Sequence, residues 1–246
     1  MTRPLLGAAG RLRLAELASR PLLVGLDFDG TLAPLVDQPS RAALSLKTRG
    51  LLERLSGSYP VLVLSGRARA DVAARVGVGG IEVIGNHGAE RELEVPSALL
   101  RRVRRWREQL EPLVARTPGL WLEDKRISLS VHLRQVPLKS AALAQLARVR
   151  PKLKGARFVH GKEVVNVVSR SADDKGAAVR HALERRGLEH ALFVGDDLTD
   201  EDVFRLQPEG WLDGANVGRG RTLARWRLAT RGQVDALLQQ LISLRR

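Results

Sequence analysis

The sequence predicts an α/β protein: a doubly wound, mostly parallel sheet carrying an inserted, smaller α+β domain. Three observations lead there. Uninterrupted apolar runs at residues 22–26, 61–64 and 81–84 read as strands covered on both faces, and helical stretches separate them as in βαβ units. The same texture returns near residue 172, with a helix starting at Asp173 or Asp174 and stopping at Gly187, a strand at 191–195, a helix from about Thr199 and further βα elements. Between these parts, Ile127, Leu129, Val131 and Leu133 alternate with Ser128, Ser130, His132 and Arg134. That period of two marks a strand with one exposed face, the habit of an antiparallel sheet. The predicted boundaries are 1–88 and 172–246 for the core and 89–171 for the insert.

The remaining elements follow from the same rules. A first helix lies around residues 11–18. In the insert, Leu99, Val103, Trp106, Leu110 and Leu113 recur at helical spacing and leave Arg101, Arg102, Arg104, Arg105 and Arg107 on the outer side. Two strands within 121–134, a helix over 138–149 and a hairpin over 156–169 turning at 160–162 complete an αββαββ order.

Composition narrows the function classes. A chain of 246 residues with 44% hydrophobic residues buries a substantial core. Without cysteine it has neither disulfides nor thiolate metal sites, so a metal must be held by oxygen or imidazole. Its apolar runs are too short for a bilayer and residues 5–9 do not form a signal peptide, so the expectation is a cytoplasmic protein with no membrane partner. The net charge of +14 favours polyanions in general. The arginines, however, fall on a solvated helix face. Zinc-finger spacing and an aromatic RNA-binding signature are both missing, so no nucleic-acid partner is expected.

The chemistry concentrates where apolar strands end. LLVGLDFDGTLAPL places Asp27 and Asp29 two residues apart, so a strand points both one way and turns Phe28 toward the core. Two such carboxylates repel and lose hydration, which calls for a cation or a shared proton. As an isolated pattern, DxD fits a βα turn capped by Asp29 equally well. Ser65 and the Gly66 amide follow VLVL and are candidate phosphate donors, or merely a helix-starting turn. Lys175 stands in the first turn of its helix, unfavourably placed against the helix dipole unless an anion lies nearby. After ALFVG come Asp196, Asp197 and Asp200; Asp196 is the best ligand candidate, whereas Thr199 and Asp202 suit a capping box. Magnesium takes oxygen ligands, and Asp27, the Asp29 carbonyl and Asp196 match that preference.

In this order DFDGT, Ser-Gly-Arg, Lys175 and GDDLTDED resemble the four motifs of haloacid-dehalogenase-type phosphatases. With GNHGAE at 85–90, EDKRISLSVHLR at 123–134 and DDKGAA at 173–178, the chain is similar to trehalose-6-phosphate phosphatases over nearly its whole length. The resemblance implies Mg2+, a sugar phosphate substrate, an inserted domain acting as a cap, and functional association with a trehalose-phosphate synthase. It implies Asp27 as nucleophile, Asp29 as acid and base, Ser65 and Lys175 as phosphoryl holders, and Asp197 and Asp200 near the metal. Sugar recognition would fall to Thr31, Gly66, Arg67, Asn86 and His87 in the core and to Glu123, Lys125 and Arg134 in the insert. His132 reads as strand packing. One position departs from the pattern: GKEVVNVVSRS puts Asn166 where the family carries glutamate. Asn166 keeps hydrogen bonding but loses the charge. The alternatives are another sugar-phosphate phosphatase, acting for example on glucosyl- or mannosyl-phosphoglycerate, and a noncatalytic polyanion-binding protein.

Overall fold

The computed structural model describes residues 2–36, 38–91, 95–161 and 163–245. It divides the chain into two compact units, Met1–Gly88 with Asp173–Arg246, and Ala89–Ala172. Ala172 thus falls in the smaller unit.

In the larger unit the chain runs β1 (Arg3–Pro4), α1 (Ala8–Ala18), β2 (Leu22–Asp27), α2 (Leu46–Ser56), β3 (Val61–Leu64), α3 (Arg69–Val76) and β4 (Glu82–Ile84). The smaller unit follows with α4 (Ser97–Arg116), β5 (Trp121–Asp124), β6 (Leu129–His132), α5 (Lys139–Val149), β7 (Ala156–Gly161) and β8 (Val164–Ser169). The chain then returns to the larger unit as α6 (Lys175–Arg185), β9 (His190–Gly195), α7 (Glu201–Phe204), β10 (Leu212–Val217), β11 (Trp226–Leu228) and α8 (Gly232–Leu244).

Seven parallel strands form the larger sheet in the order β1-β11-β10-β9-β2-β3-β4. From β2 the chain moves outward through β3 to β4, whereas from β9 it moves the other way through β10 to β11. Strand order therefore reverses between β2 and β9, and such a switch point opens a crevice beyond the carboxyl ends of the strands. The first strand, β1, was not anticipated: two residues, one of them proline, carry no alternation to read, and an edge strand tolerates proline because one side needs no partner.

All six residues of β2 are buried. Leu22, Val24 and Leu26, followed by Phe28, pack into the core shared with α1, α2 and α8, while Leu23 packs into the core shared with α6 and α7. Parity then puts Asp27 on the face that α6 covers. α6 is itself started by Asp174, whose carboxylate accepts from the Ala177 N–H at 2.8 Å. The helix expected from Thr199 is a 3₁₀ turn over Leu198–Asp200 leading into the single turn of α7. Asp197 and Asp200 form its capping box, in place of the expected Thr199 and Asp202. Both pairs share the same three-residue spacing, so spacing does not distinguish them.

In the smaller unit the sheet is antiparallel, in the order β5-β6-β8-β7. Val103, Trp106, Leu110 and Leu113 of α4 are buried against it, and the neighbouring arginines are exposed. Two details differ from the sequence reading. The polar side of the alternation over 127–134 is exposed only at its far end: Ser128 is 1% and Ser130 0% accessible, His132 is partly buried and Arg134 is exposed. His160 and Gly161, expected in the turn, belong to β7 and pair with Val165 and Val164 of β8; Lys162, the third residue of the expected turn, lies outside the described residues. Gly161 reads as a turn signal, yet the ladder continues through it to Val164. Among the described residues, no helix is long and apolar enough to cross a membrane.

Trp106 is 2% exposed and donates its indole N–H to the Lys154 carbonyl at 3.1 Å, so it anchors the smaller core. Trp106→Ala is expected to cost about 3–5 kcal/mol, read by urea denaturation followed by circular dichroism.

Candidate active site

The ends of β2 and β9 and the start of α6 bring three sequence-distant groups together. Lys175 is the first residue of α6 and is 2% exposed. Its ammonium donates to Asp27 Oδ1 at 2.6 Å and to Asp200 Oδ1 at 2.7 Å. The second Asp200 oxygen accepts the Asp197 N–H at 2.9 Å, so the capping box also aims this carboxylate. Asp196 lies immediately after β9, and its Oδ1 accepts from the Thr31 hydroxyl at 3.0 Å.

Two glycines make this packing possible. Gly30 has φ +88°, and a Cβ there would stand 2.1 Å from Asp196 Oδ2. A Cβ on Gly195 would stand 2.3 Å from the Asp200 carboxyl carbon. Neither site has room for a side chain while the acids keep their positions.

Asp27, Asp196 and Asp200 each offer an oxygen within 4.8 Å of the others. If ionised, three carboxylates and one ammonium sum to −2, the charge that a divalent cation balances. The electrostatics express the same excess. Burial pushes the Asp27 carboxyl well above the usual range, partly opposed by Lys175 and reinforced by Asp200 and Asp196. Asp196 is pushed up to about 7, by burial first and by Asp200 next, against the Thr31 hydrogen bond. Burial works to deprotonate Lys175, but Asp200 and Asp27 outweigh it and raise the lysine above its ordinary value. An all-oxygen donor set with surplus negative charge fits a hard divalent cation.

The predicted ligands divide accordingly. Asp200 joins Asp27 and Asp196, whereas the Asp197 and Asp29 side chains do not belong to this cluster. Asp29 instead accepts both arms of Arg67, from Nε at 2.7 Å and from Nη2 at 2.8 Å. Arg67 also reaches Asp71 through Nη1 at 3.1 Å, a partner one helical turn away that the sequence reading missed. Its i,i+4 spacing from Arg67 was the available signal.

Ser65 directly follows β3 and is 1% exposed; its Oγ accepts the Arg67 N–H at 3.1 Å. The turn after β4 fastens to this loop: the Asn86 N–H donates to the Arg67 carbonyl at 2.7 Å and the His87 N–H to the Ser65 carbonyl at 2.9 Å. Asn86 and His87 hold φ of 50° and 58°, uncommon for residues other than glycine. The His87 ring lies over Gly66, its Cε1 2.4 Å from where a Cβ would stand.

Within the smaller unit, the register aligns Glu123, Ser130, Asn166 and Val159 in one row across the sheet. Asn166 is buried and accepts from the Ser130 hydroxyl at 2.6 Å. Glu123 meets His132 Nε2 at 2.8 Å and Lys125 Nζ at 3.8 Å. His132 stacks on its cross-strand partner Trp121 with ring centroids 3.7 Å apart, which is the strand packing expected of it. Arg134 turns to Glu163 at 3.2 Å, which also pairs with Lys139. The sequence reading singled out neither Glu163 nor Ser130, because cross-strand partners appear only once register is known.

Residues 25–210 match the family model described as trehalose-phosphatase. Among relatives, a trehalose-phosphate phosphatase of Mycobacterium ulcerans is 32% identical over 195 residues, covering 74% of this chain and 50% of the relative. A probable trehalose-phosphate phosphatase 9 of Oryza sativa is 29% identical over 270 residues, covering 93% and 72%. The chain spans about half the length of the first mycobacterial relatives it matches. In fold it resembles the C-terminal domain of C. albicans trehalose-6-phosphate phosphatase, with a TM-score of 0.82, 23% identity and 99% of each chain covered. The parallel sheet with helices on both faces and the small antiparallel sheet are the fold class expected from the sequence, and a trehalose-6-phosphate phosphatase related protein shares this fold with a TM-score of 0.75 at 22% identity. With three quarters of its residues inside the family match, the chain belongs to the trehalose-phosphatase family.

Proposed function

We propose that this chain is a magnesium-dependent phosphatase that hydrolyses trehalose 6-phosphate to trehalose and phosphate. The observation that supports it most is the buried Asp27, Asp196, Asp200 and Lys175 cluster at the switch point of the sheet. In this reading Asp27, Asp196, Asp200 and the Asp29 carbonyl hold the cation, and Asp197 orients the capping turn beside them. When bound, Mg2+ offsets the repulsion between an anionic nucleophile and an anionic phosphoryl group.

The residues of the chain do the rest. An oxygen of Asp27 forms a bond to phosphorus as the bond from phosphorus to the sugar oxygen breaks, leaving an aspartyl phosphate. Asp29 gives its proton to that departing oxygen. Water then attacks phosphorus, its proton passes to Asp29, and the Asp27 carboxylate is restored as phosphate leaves. Lys175 and the Ser65 hydroxyl hold phosphoryl oxygens while charge redistributes. Sugar recognition is assigned to Glu123, Lys125 and Arg134 of the smaller unit and to Thr31, Gly66, Asn86 and His87 of the larger. A cytoplasmic location, a cap role for residues 89–171 and functional association with a trehalose-phosphate synthase belong to the same proposal.

Asn166 favours a second reading. It stands where the resemblance carries glutamate, and Ser130 occupies its carbonyl oxygen. A neutral amide there suits a different sugar phosphate, such as a glucosyl- or mannosyl-phosphoglycerate.

Four outcomes test the proposal. Phosphate release measured across these substrates is expected to be fastest on trehalose 6-phosphate and to require Mg2+; an equal or lower rate on that substrate favours the second reading. Asp27→Asn is expected to reduce turnover to background while the circular dichroism spectrum is kept. Asp29→Asn is expected to slow sugar-phosphate turnover by about 10²–10⁴. The fourth concerns pH. Because the folded state raises Asp196 from 3.8 to about 7, its proton adds stability to the metal-free protein at low pH, and that contribution is lost as pH rises through about 7. Magnesium competes with the same proton. Its effect on Tm should therefore be larger at pH 8 than at pH 6, and Asp196→Asn should flatten the difference.

A further inference from the structure

Resting on that reading, we infer that Arg67 is the positioning residue of the acid and base carboxylate, rather than a sugar contact, and that Asp71 and Arg75 hold it in place. The geometry is a chain of alternating charge that runs from the segment after β2 to α3. Arg67 grips Asp29 side-on through Nε and Nη2 at 2.7 and 2.8 Å. Its remaining terminal nitrogen bonds Asp71 Oδ2 at 3.1 Å, and the other oxygen of Asp71 accepts Arg75 Nε at 2.9 Å. Arg75 ends on backbone, donating to the carbonyls of Ala42 at 2.6 Å and Ser40 at 3.1 Å. Asp71 and Arg75 are both on α3 at i,i+4, so a rigid element carries the far end of the chain.

Arg67 is anchored at its near end as well. Its N–H donates to Ser65 Oγ, its carbonyl accepts from Asn86, and its guanidinium sits 5.7 Å from the centre of the Phe28 ring. Phe28 lies between Asp27 and Asp29 and is wholly buried, so the arginine is referenced to the segment that carries both reacting carboxylates. The Arg67 side chain is 14% exposed against 34% for Asp29. The more exposed carboxylate is thus the one being held. Two parallel N–H···O bonds fix the carboxylate plane as well as its place, which a lysine cannot do. A carboxylate has about four lone-pair sites, so a side-on arginine leaves each oxygen one more, for the proton that goes to the leaving oxygen or comes from water.

The consequence is selective. An orienting residue matters most where proton donation matters, on a poor alkoxide leaving group. It matters little for 4-nitrophenyl phosphate, whose leaving group departs without a proton. The experiment measures kcat and KM for Arg67→Gln, Arg67→Lys and Asp71→Asn on the sugar phosphate and on 4-nitrophenyl phosphate, with full-length protein and Mg2+. For Arg67→Gln the expected result is a loss of kcat on the sugar phosphate of about 10²-fold with KM within about threefold, and a loss under about fivefold on the aryl ester. Arg67→Lys should fail to rescue, and Asp71→Asn should show a smaller loss with the same dependence on leaving group. A loss confined to KM makes Arg67 a substrate contact and overturns the inference, and so does an equal loss of kcat on both substrates. Should Arg67→Gln not fold, the Asp71→Asn comparison decides by the same criteria. A wild-type protein inactive on both substrates would instead refute the phosphatase reading.

Discussion

An ammonium enclosed by two carboxylates is the contact on which this structure turns. Lys175, Asp27 and Asp200 are all nearly inaccessible, and each alone would be costly to bury in its charged form. Together they are tolerable, and the contact ties the start of α6 to the end of β2 and to the turn after β9. The sum still leaves negative charge, which Asp196 expresses by holding a proton up to about 7. A buried site with this surplus of negative charge fits a divalent cation.

The sheet supplies the precision. Because β2 pairs in register with both β3 and β9, the ends of these strands arrive at one level, and the groups just beyond them share one crevice. Asp27, Asp29, Ser65 and Asp196 all stand at such ends. Rigid strands beneath and short turns above leave few rotatable bonds between core and carboxylate, so little ordering remains to be done when a substrate arrives. Gly30 and Gly195 extend the same logic downward in scale: each removes a Cβ so that a carboxylate fills its place.

The acids of this site also differ in how they are held, and the difference suits the roles proposed for them. Asp27 and Asp200 share an ammonium in the interior, Asp196 leans on a hydroxyl, and Asp29 is gripped by a planar guanidinium while partly open to solvent. A nucleophile and cation ligands benefit from burial and a fixed field, whereas a group that gives and takes protons needs access to the leaving group and to water. In the smaller unit the row from Glu123 through Ser130 to Asn166 shows the same economy: one hydroxyl satisfies a buried amide, and a stacked imidazole meets a carboxylate.

Much of this was legible in residue order. The burial of β2, the common direction of Asp27 and Asp29 and the antiparallel character of the insert follow from periods of two and from uninterrupted apolar runs, which local chemistry imposes on any strand. Other features depend on which strands become neighbours. The pairing of Arg67 with Asp29, the choice of Asp200 over Asp197 for the acidic cluster and the cross-strand bond between Ser130 and Asn166 join residues whose proximity no spacing rule encodes. So too Ser128 and Ser130, which alternation marks as outward, are buried. The sequence by itself determined which groups stand at strand ends and on which side. Only the tertiary structure decided which of them meet, because register and strand order are set by the packing of the whole core and not by any segment alone.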